Sequence, residues 1–238
     1  MCGIVGYVGE NSASPILIDG LKKLEYRGYD SAGIAVSENG KTDVVKTKGR
    51  IKNLEEKLEE VGGLSGTVGI GHTRWATHGA PTDVNAHPHK GGNGRITLVH
   101  NGIIENYIEL KTMLQKGGYV FVSETDTEVL AHLFDYYYKG DLLDAMVNVM
   151  KTVRGSYAVA ILADDKPGTI IAARKDSPLI VGLGDGENFL ASDIPAVLKY
   201  TRDCYLLEDN QIAVLTKDNV TLYDTDKNVV KKDVYHVT

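Results

Sequence analysis

A cysteine stands directly after the initiator methionine in MCGIVGYVG. If Met1 is removed, Cys2 carries both a thiol with an ordinary pKa of ~8.5 and a free α-amino group with a pKa near ~8. At neutral pH roughly a tenth of such amines are neutral, enough to accept the thiol proton directly or through one water. Nucleophile and base then belong to one residue, a variant of triad chemistry that needs no catalytic histidine. Gly3 leaves that terminus uncrowded. A retained Met1 would lock the nitrogen into an amide, so the chemistry depends on processing. No basic n-region, long apolar core or small-residue cleavage site marks a secretory leader here.

Five polar stretches could supply the rest of a site: LEYRGYDSAG (24–33), HTRWATHG (72–79), NAHPH (85–89), HNGIIEN (100–106) and SETDTE (123–128). In HTRWATHG, Arg74 could grip a carboxylate with its planar fork of donors, with Thr77 and His78 adding hydrogen bonds. The alternative is a surface loop in which Arg74 packs on Trp75, the one tryptophan. Asn-Gly in HNGIIEN reads either as a tight turn or as an oxyanion hole. In the second reading the Asn101 amide and the Gly102 N–H aim at one oxygen. Asp126 opens a helix in SETDTE, where Thr125 and Glu128 form a capping box. It either complements the helix dipole or binds a ligand. LEYRGYDSAG reads as a helix end at Gly28, with Arg27 the residue of interest.

Five of the seven histidines fall at 72, 78, 87, 89 and 100. His87-Pro88-His89 lacks the i, i+4 spacing of a helical zinc pair, and no well-placed carboxylate accompanies it. No metal is expected. These histidines are read as turn residues or as donors supporting the residues that bind substrate.

The elements that must hold these residues are short and mixed. A helix over 14–25 is expected from Ser14 as N-cap, Pro15 at N1 and a Leu17/Leu21/Leu24 stripe. A second, over 51–61, shows Ile51, Leu54, Leu58 and Val61 on one side and stops at Gly62-Gly63. Others are expected near 107–115, 126–138 and 141–151, the middle one striped by Val129, Leu130, Leu133, Phe134 and Tyr137. In contrast, CGIVGYVG, TVGI, ITLV, YAVAIL and TIIAA are apolar on both faces, as strands are when their sheet is covered on both sides. From about 154 to 234 the pattern is one of short strands between Gly, Asp and Asn turns. Stacked sheets with helices outside are the expected arrangement.

Composition narrows the class. The chain has 238 residues and a net charge of −6, spread along its length, which disfavours a nucleic-acid surface. No apolar run approaches the ~20 residues of a membrane span. Cys2 and Cys204 are the only cysteines, so no disulfide framework is expected and the cytoplasm is the natural compartment. Cys204 reads as a small buried hydrophobe.

Taken together, Cys2 with GIVGYVG, EYRGYDSAG, HTRWATHG, NAHPH, HNGIIEN and SETDTE resemble the glutaminase domain of the class II, N-terminal-nucleophile glutamine amidotransferases. KDSPLIVGLGDGENFLASD (175–193) extends the likeness over essentially the whole chain. The stretches at HTRWATHG and HNGIIEN favour the branch that aminates fructose 6-phosphate. The resemblance implies an α+β fold, the four-layer αββα sandwich. It implies that Cys2, Asn101 and Gly102 are catalytic and that Arg74, Trp75, Thr77, His78 and Asp126 bind L-glutamine, with Arg27 and His87 behind them. Arg74 would hold the α-carboxylate and Asp126 the α-ammonium, so that free rather than peptide glutamine is selected. Trp75 would lie on the loop that gates ammonia.

No cofactor is implied. The implied partners are the sugar isomerase domains, which this chain does not contain, and a second subunit in the full-length homodimer. On this reading residues 1–238 are one glutaminase domain that releases glutamate and ammonia. Two alternatives remain: an N-terminal-nucleophile hydrolase acting on other amides, or a non-catalytic module if Met1 is retained.

Overall fold

The computed structural model describes residues 2–76 and 78–238. In chain order the elements are β1 (Gly3–Val8), α1 (Ala13–Leu24), β2 (Ser31–Glu38), β3 (Lys41–Lys48), α2 (Ile51–Glu60), β4 (Val68–Arg74), β5 (His89–Gly91), β6 (Ile96–Ile104), α3 (Tyr107–Lys116), α4 (Thr127–Tyr137) and α5 (Leu142–Thr152). The strands β7 (Gly155–Ala163), β8 (Ile170–Lys175), β9 (Ile180–Leu183), β10 (Asn188–Ala191), β11 (Asp203–Leu206), β12 (Ile212–Leu215), β13 (Val220–Tyr223), β14 (Val229–Val230) and β15 (Tyr235–His236) complete the chain.

The strands form two sheets, one ordered β15-β11-β9-β10-β1-β4-β2-β3 and the other β14-β13-β12-β8-β7-β6-β5. Three apolar layers explain why so many strands lack alternation. Ile4, Val8, Ile70, Val99, Ala158, Ala160 and Leu190 fill the space between the sheets. Val5, Tyr7, Ile34 and Val36 point the other way and meet Leu17, Leu21 and Leu24 of α1 and Leu54 of α2. Leu98, Val159 and Ile161 likewise face Leu130, Leu133 and Phe134 of α4 and Met146 of α5. Each central strand therefore buries both faces, and the architecture is the expected αββα sandwich. Among the described residues no helix is long and apolar enough to cross a membrane.

Several local expectations are corrected. Helix α1 begins at Ala13, so Ser14 and Pro15 lie inside its first turn and Ser12 precedes it without a side-chain cap; the first-turn N–H groups have no intrahelical partner, so a proline is tolerated there. The Asn-Gly pair does not turn. Strand β6 runs straight through it, with Asn101 opposite Ala158 and Gly102 opposite Tyr157. Nine paired positions on β7 outweigh a two-residue turn preference. Only half of the capping box forms: Thr125 Oγ1 accepts from Glu128 N at 3.3 Å. The Glu128 carboxylate instead reaches back to the N–H groups of Val122 and Ser123, at 2.9 and 2.6 Å.

Candidate active site

The pairing of β1 brings the thiol to its neighbours. Gly3 lies opposite Thr73, and Ile4 opposite His72 on β4, so Cys2 projects beyond the sheet beside Arg74 and Trp75. A Cβ on Gly3 would come within 2.8 Å of both Leu24 Cβ and Thr73 Oγ1, so only glycine passes there. Ser192, just past β10, pins the strand by accepting from Ile4 N at 2.9 Å and donating to Ile4 O at 3.0 Å.

Cys2 is partly exposed at the floor of a cleft also lined by Arg74, Trp75, His78, His87, His100, Gly102, Thr125, Asp126 and Thr127. Trp75 N donates to Cys2 Sγ at 3.2 Å. Burial pushes the thiol pKa up, while that N–H and the Arg74 guanidinium oppose the shift. Asp30, one of the residues missed by the sequence reading, raises it further. Asp30 Oδ2 accepts from Ala76 N at 2.6 Å and its own N–H donates to Arg74 O at 3.0 Å, so it fixes the chain just after β4. The local signal for it was only a carboxylate preceding a buried strand.

Asn101 comes from the opposite sheet. Its Nδ2 donates to Cys2 O at 3.0 Å, and the residue is nearly buried. An amide nitrogen carries two hydrogens, and among the described residues no second acceptor takes the other one. Gly102 follows at φ +119, and a Cβ there would lie 2.2 Å from Ser156 O. Glycine is required at that position by both torsion and space.

Asp126 is buried, lines the cleft and accepts from Ile104 N at 2.9 Å. Arg74 is buried as well, and donates through its terminal nitrogens to the carbonyls of His78, of Gly79 at 3.1 Å and of Ala80 at 3.2 Å. It therefore shapes the 78–80 loop while facing the cleft. Burial lowers its pKa, and the charges of Asp30 and Asp126 counter this. His78 packs edge-on against Tyr107 at 5.3 Å, and Trp75, 45% exposed, packs edge-on against Tyr29 at 5.4 Å. Trp75 thus does not stack on Arg74. Thr77 lies outside the described residues. Arg27 is not among the residues lining this cleft and is ion-paired to Asp193 at 3.2 Å.

Behind the cleft the histidines form a dry cluster rather than turns. His87 stacks on His72 with ring centres 3.9 Å apart. His100 N donates to His87 Nδ1 at 3.4 Å, and the Thr127 hydroxyl lies 2.9 Å from His100 Nδ1 and 3.4 Å from His87 Nε2. Burial holds His72, His87, His89 and His100 below the usual histidine range. His100, Thr125 and Thr127 join the cleft although no single motif promoted them. His100 on β6 meets Thr127 at the start of α4, and Thr125 meets His89 on β5.

Two packed antiparallel sheets with a cysteine at the head of a central strand are the architecture of an N-terminal-nucleophile amidotransferase. The glutamine amidotransferase domain family matches residues 72–199, and the chain belongs to that family. It is 60% identical over 238 residues to the glutamine–fructose-6-phosphate aminotransferase (isomerizing) of Clostridium tetani. It is equally 60% identical over 238 residues to that of Clostridium perfringens. Both matches cover 100% of this chain, which spans 39% of the length of each relative. Among solved structures, glutamine phosphoribosylpyrophosphate amidotransferase of B. subtilis superposes with a TM-score of 0.81 at 28% identity, covering 96% of this chain and 50% of that one.

Proposed function

We propose that this domain hydrolyses free L-glutamine to glutamate and ammonia through a thioester on Cys2. The reading rests above all on one observation: a thiol shares its cleft with a buried cation, Arg74, and a buried anion, Asp126. That pair complements an α-carboxylate and an α-ammonium, leaving the substrate side chain to reach the sulfur. With Met1 removed, the Cys2 amine takes the thiol proton and later gives a proton to departing ammonia. The sulfur attacks the carboxamide carbon, the C–N bond breaks, and water then opens the thioester. Asn101 Nδ2 and the Gly102 N–H serve the oxyanion in both tetrahedral steps. Arg74 holds the carboxylate by exchanging or sharing its loop carbonyls; Thr77 and His78 assist, and Trp75 covers the mouth. His87 supports these groups from the cleft wall, and Arg27, paired to Asp193, from further back.

The relatives' names extend the reading. Residues 1–238 act as the ammonia-producing half of a longer cytoplasmic, dimeric enzyme whose sugar isomerase domains accept fructose 6-phosphate. The domain alone makes no amino sugar. No cofactor or metal enters this chemistry.

The test is glutamate release by the Met-processed protein, with and without Cys2→Ala. Turnover is expected only with the thiol, and only on glutamine with both charged ends free. Retained turnover in Cys2→Ala, or equal activity on blocked glutamine, overturns the proposal.

A further inference from the structure

The two ends of the Asn101 amide are chemically opposite. The side chain assists an oxyanion only if its nitrogen faces the thiol; a half-turn of the amide would present the carbonyl oxygen and repel the developing charge. The element that fixes this choice comes from the other sheet. His72 on β4 is fully buried, and its Nε2 lies 3.1 Å from His100 O and 2.9 Å from Asn101 Oδ1. A main-chain carbonyl can only accept, so Nε2 must carry the proton. A donor at that point requires its other partner to be the oxygen end of Asn101. At the far end the amide meets Cys2 O at 3.0 Å, again an atom that only accepts. Two obligate acceptors, on His100 and Cys2, therefore permit one orientation, and the imidazole transmits the first of them.

We infer that His72 is a positioning residue for the thioester chemistry: its Nε2–H, shared between His100 O and Asn101 Oδ1, holds the Asn101 nitrogen toward Cys2. The inference rests on the reading of Asn101 as an oxyanion donor. The surroundings keep this donor in one state. His72 Nδ1 is buried with no hydrogen-bond partner among the described residues, and the ring lies nearly parallel to that of His87, at 8°. His87, His89, His100 and Arg74 are the titratable neighbours, and none is an anion that would favour a second proton. Burial depresses the imidazole to about 3, so it stays neutral with its single proton on Nε2. The bond also crosses from one sheet to the other, so the inter-sheet spacing sets how the amide is presented.

The experiment is a double-mutant cycle on the Met-processed protein, read as kcat and KM for glutamine. His72→Leu removes the donor and should lower kcat by ~10-fold or more with a smaller effect on KM. His72→Gln, whose amide nitrogen reaches about as far as Nε2, should recover most of the loss. In an Asn101→Ala background His72→Leu should cost nothing further. If Asn101→Ala lowers kcat but the His72 effect remains fully additive, the positioning role is overturned while the oxyanion reading stands. An unchanged kcat in Asn101→Ala overturns both. Should the leucine variant fail to fold, nitrogen NMR of the wild-type imidazoles decides. An Nε2–H tautomer persisting through the ordinary histidine titration range supports the role. An Nδ1–H tautomer, or titration within that range, refutes it.

Discussion

The backbone N–H of Trp75 points at the sulfur of Cys2 from 3.2 Å, and the Trp75 carbonyl lies 3.6 Å from the same atom. One residue thus offers the sulfur two contacts, a carbonyl that accepts from the thiol and an N–H that favours the thiolate. Burial works against that and prevails, since the thiol pKa is raised overall. With Met1 in place, burial thus favours Cys2 as the thiol.

Alkylation follows from this. Iodoacetamide should modify one cysteine per native chain, because Cys204 has no exposed surface while Cys2 does. The rate should climb with pH and continue climbing past the ordinary thiol range, since only the thiolate reacts and its pKa is raised. Peptide mass mapping against pH checks both points; early modification of Cys204, or a rate that plateaus near neutrality, would contradict them.

Gly102→Ala should be damaging on two counts. The position is held at φ +119 and its new Cβ would meet Ser156 O at 2.2 Å. We expect a loss of about 2–4 kcal/mol in urea unfolding, together with a fall in kcat as the β6–β7 pairing shifts. A wild-type midpoint would show that this backbone can relax freely.

Arg74→Ala should raise KM for glutamine by the equivalent of about 2–5 kcal/mol, because it strands a buried carboxylate. Arg74 also ties down the carbonyls of Gly79 and Ala80, so proteolysis within 76–80 should quicken in the same variant. Arg74→Lys should recover little, since one ammonium cannot span both the loop and a substrate. Steady-state kinetics and limited proteolysis read the two effects separately.

Glu128 supplies a stability prediction with a definite sign. Burial alone would raise its carboxyl, but hydrogen bonds from His132, Ser123 and Val122 outweigh this and hold it at about 2, against an ordinary 4.5. A depressed folded pKa gives stability that is fully present above the unfolded value and lost as pH falls toward the folded one. Wild-type protein should therefore lose roughly 2–3 kcal/mol from this group between pH ~5 and ~2. Glu128→Gln should be less stable at neutral pH and show a flatter acid limb in urea titrations.

The extent to which all this could be read from the chain differs by feature. Strands such as YAVAIL announce two-sided burial, and the helix stripes at Leu17/Leu21/Leu24 and Val129/Leu130/Leu133 match the faces that cover the sheets. These are repeating patterns within one element. The Asn-Gly turn and the full capping box failed because local propensity was the only guide there, and strand pairing or a competing set of N–H donors decided otherwise. Asp30 and Thr127 went unassigned, and His72 and His100 received only a general reading as turn residues or supporting donors, because each acts on a partner 27 or more positions away.

By itself the sequence supplied the candidate nucleophile and the condition on Met1 that goes with it, the order of the motifs and the layering. Each depends on residue type or near-neighbour spacing, which the chain carries directly. Only the tertiary structure decided which way the Asn101 amide faces, that Arg74 already grips a loop, and that the buried His72 bridges the two sheets. Those properties arise where β4 of one sheet meets β6 of the other, in a space from which water is excluded. There a single ångström or a single proton changes what a polar group can do.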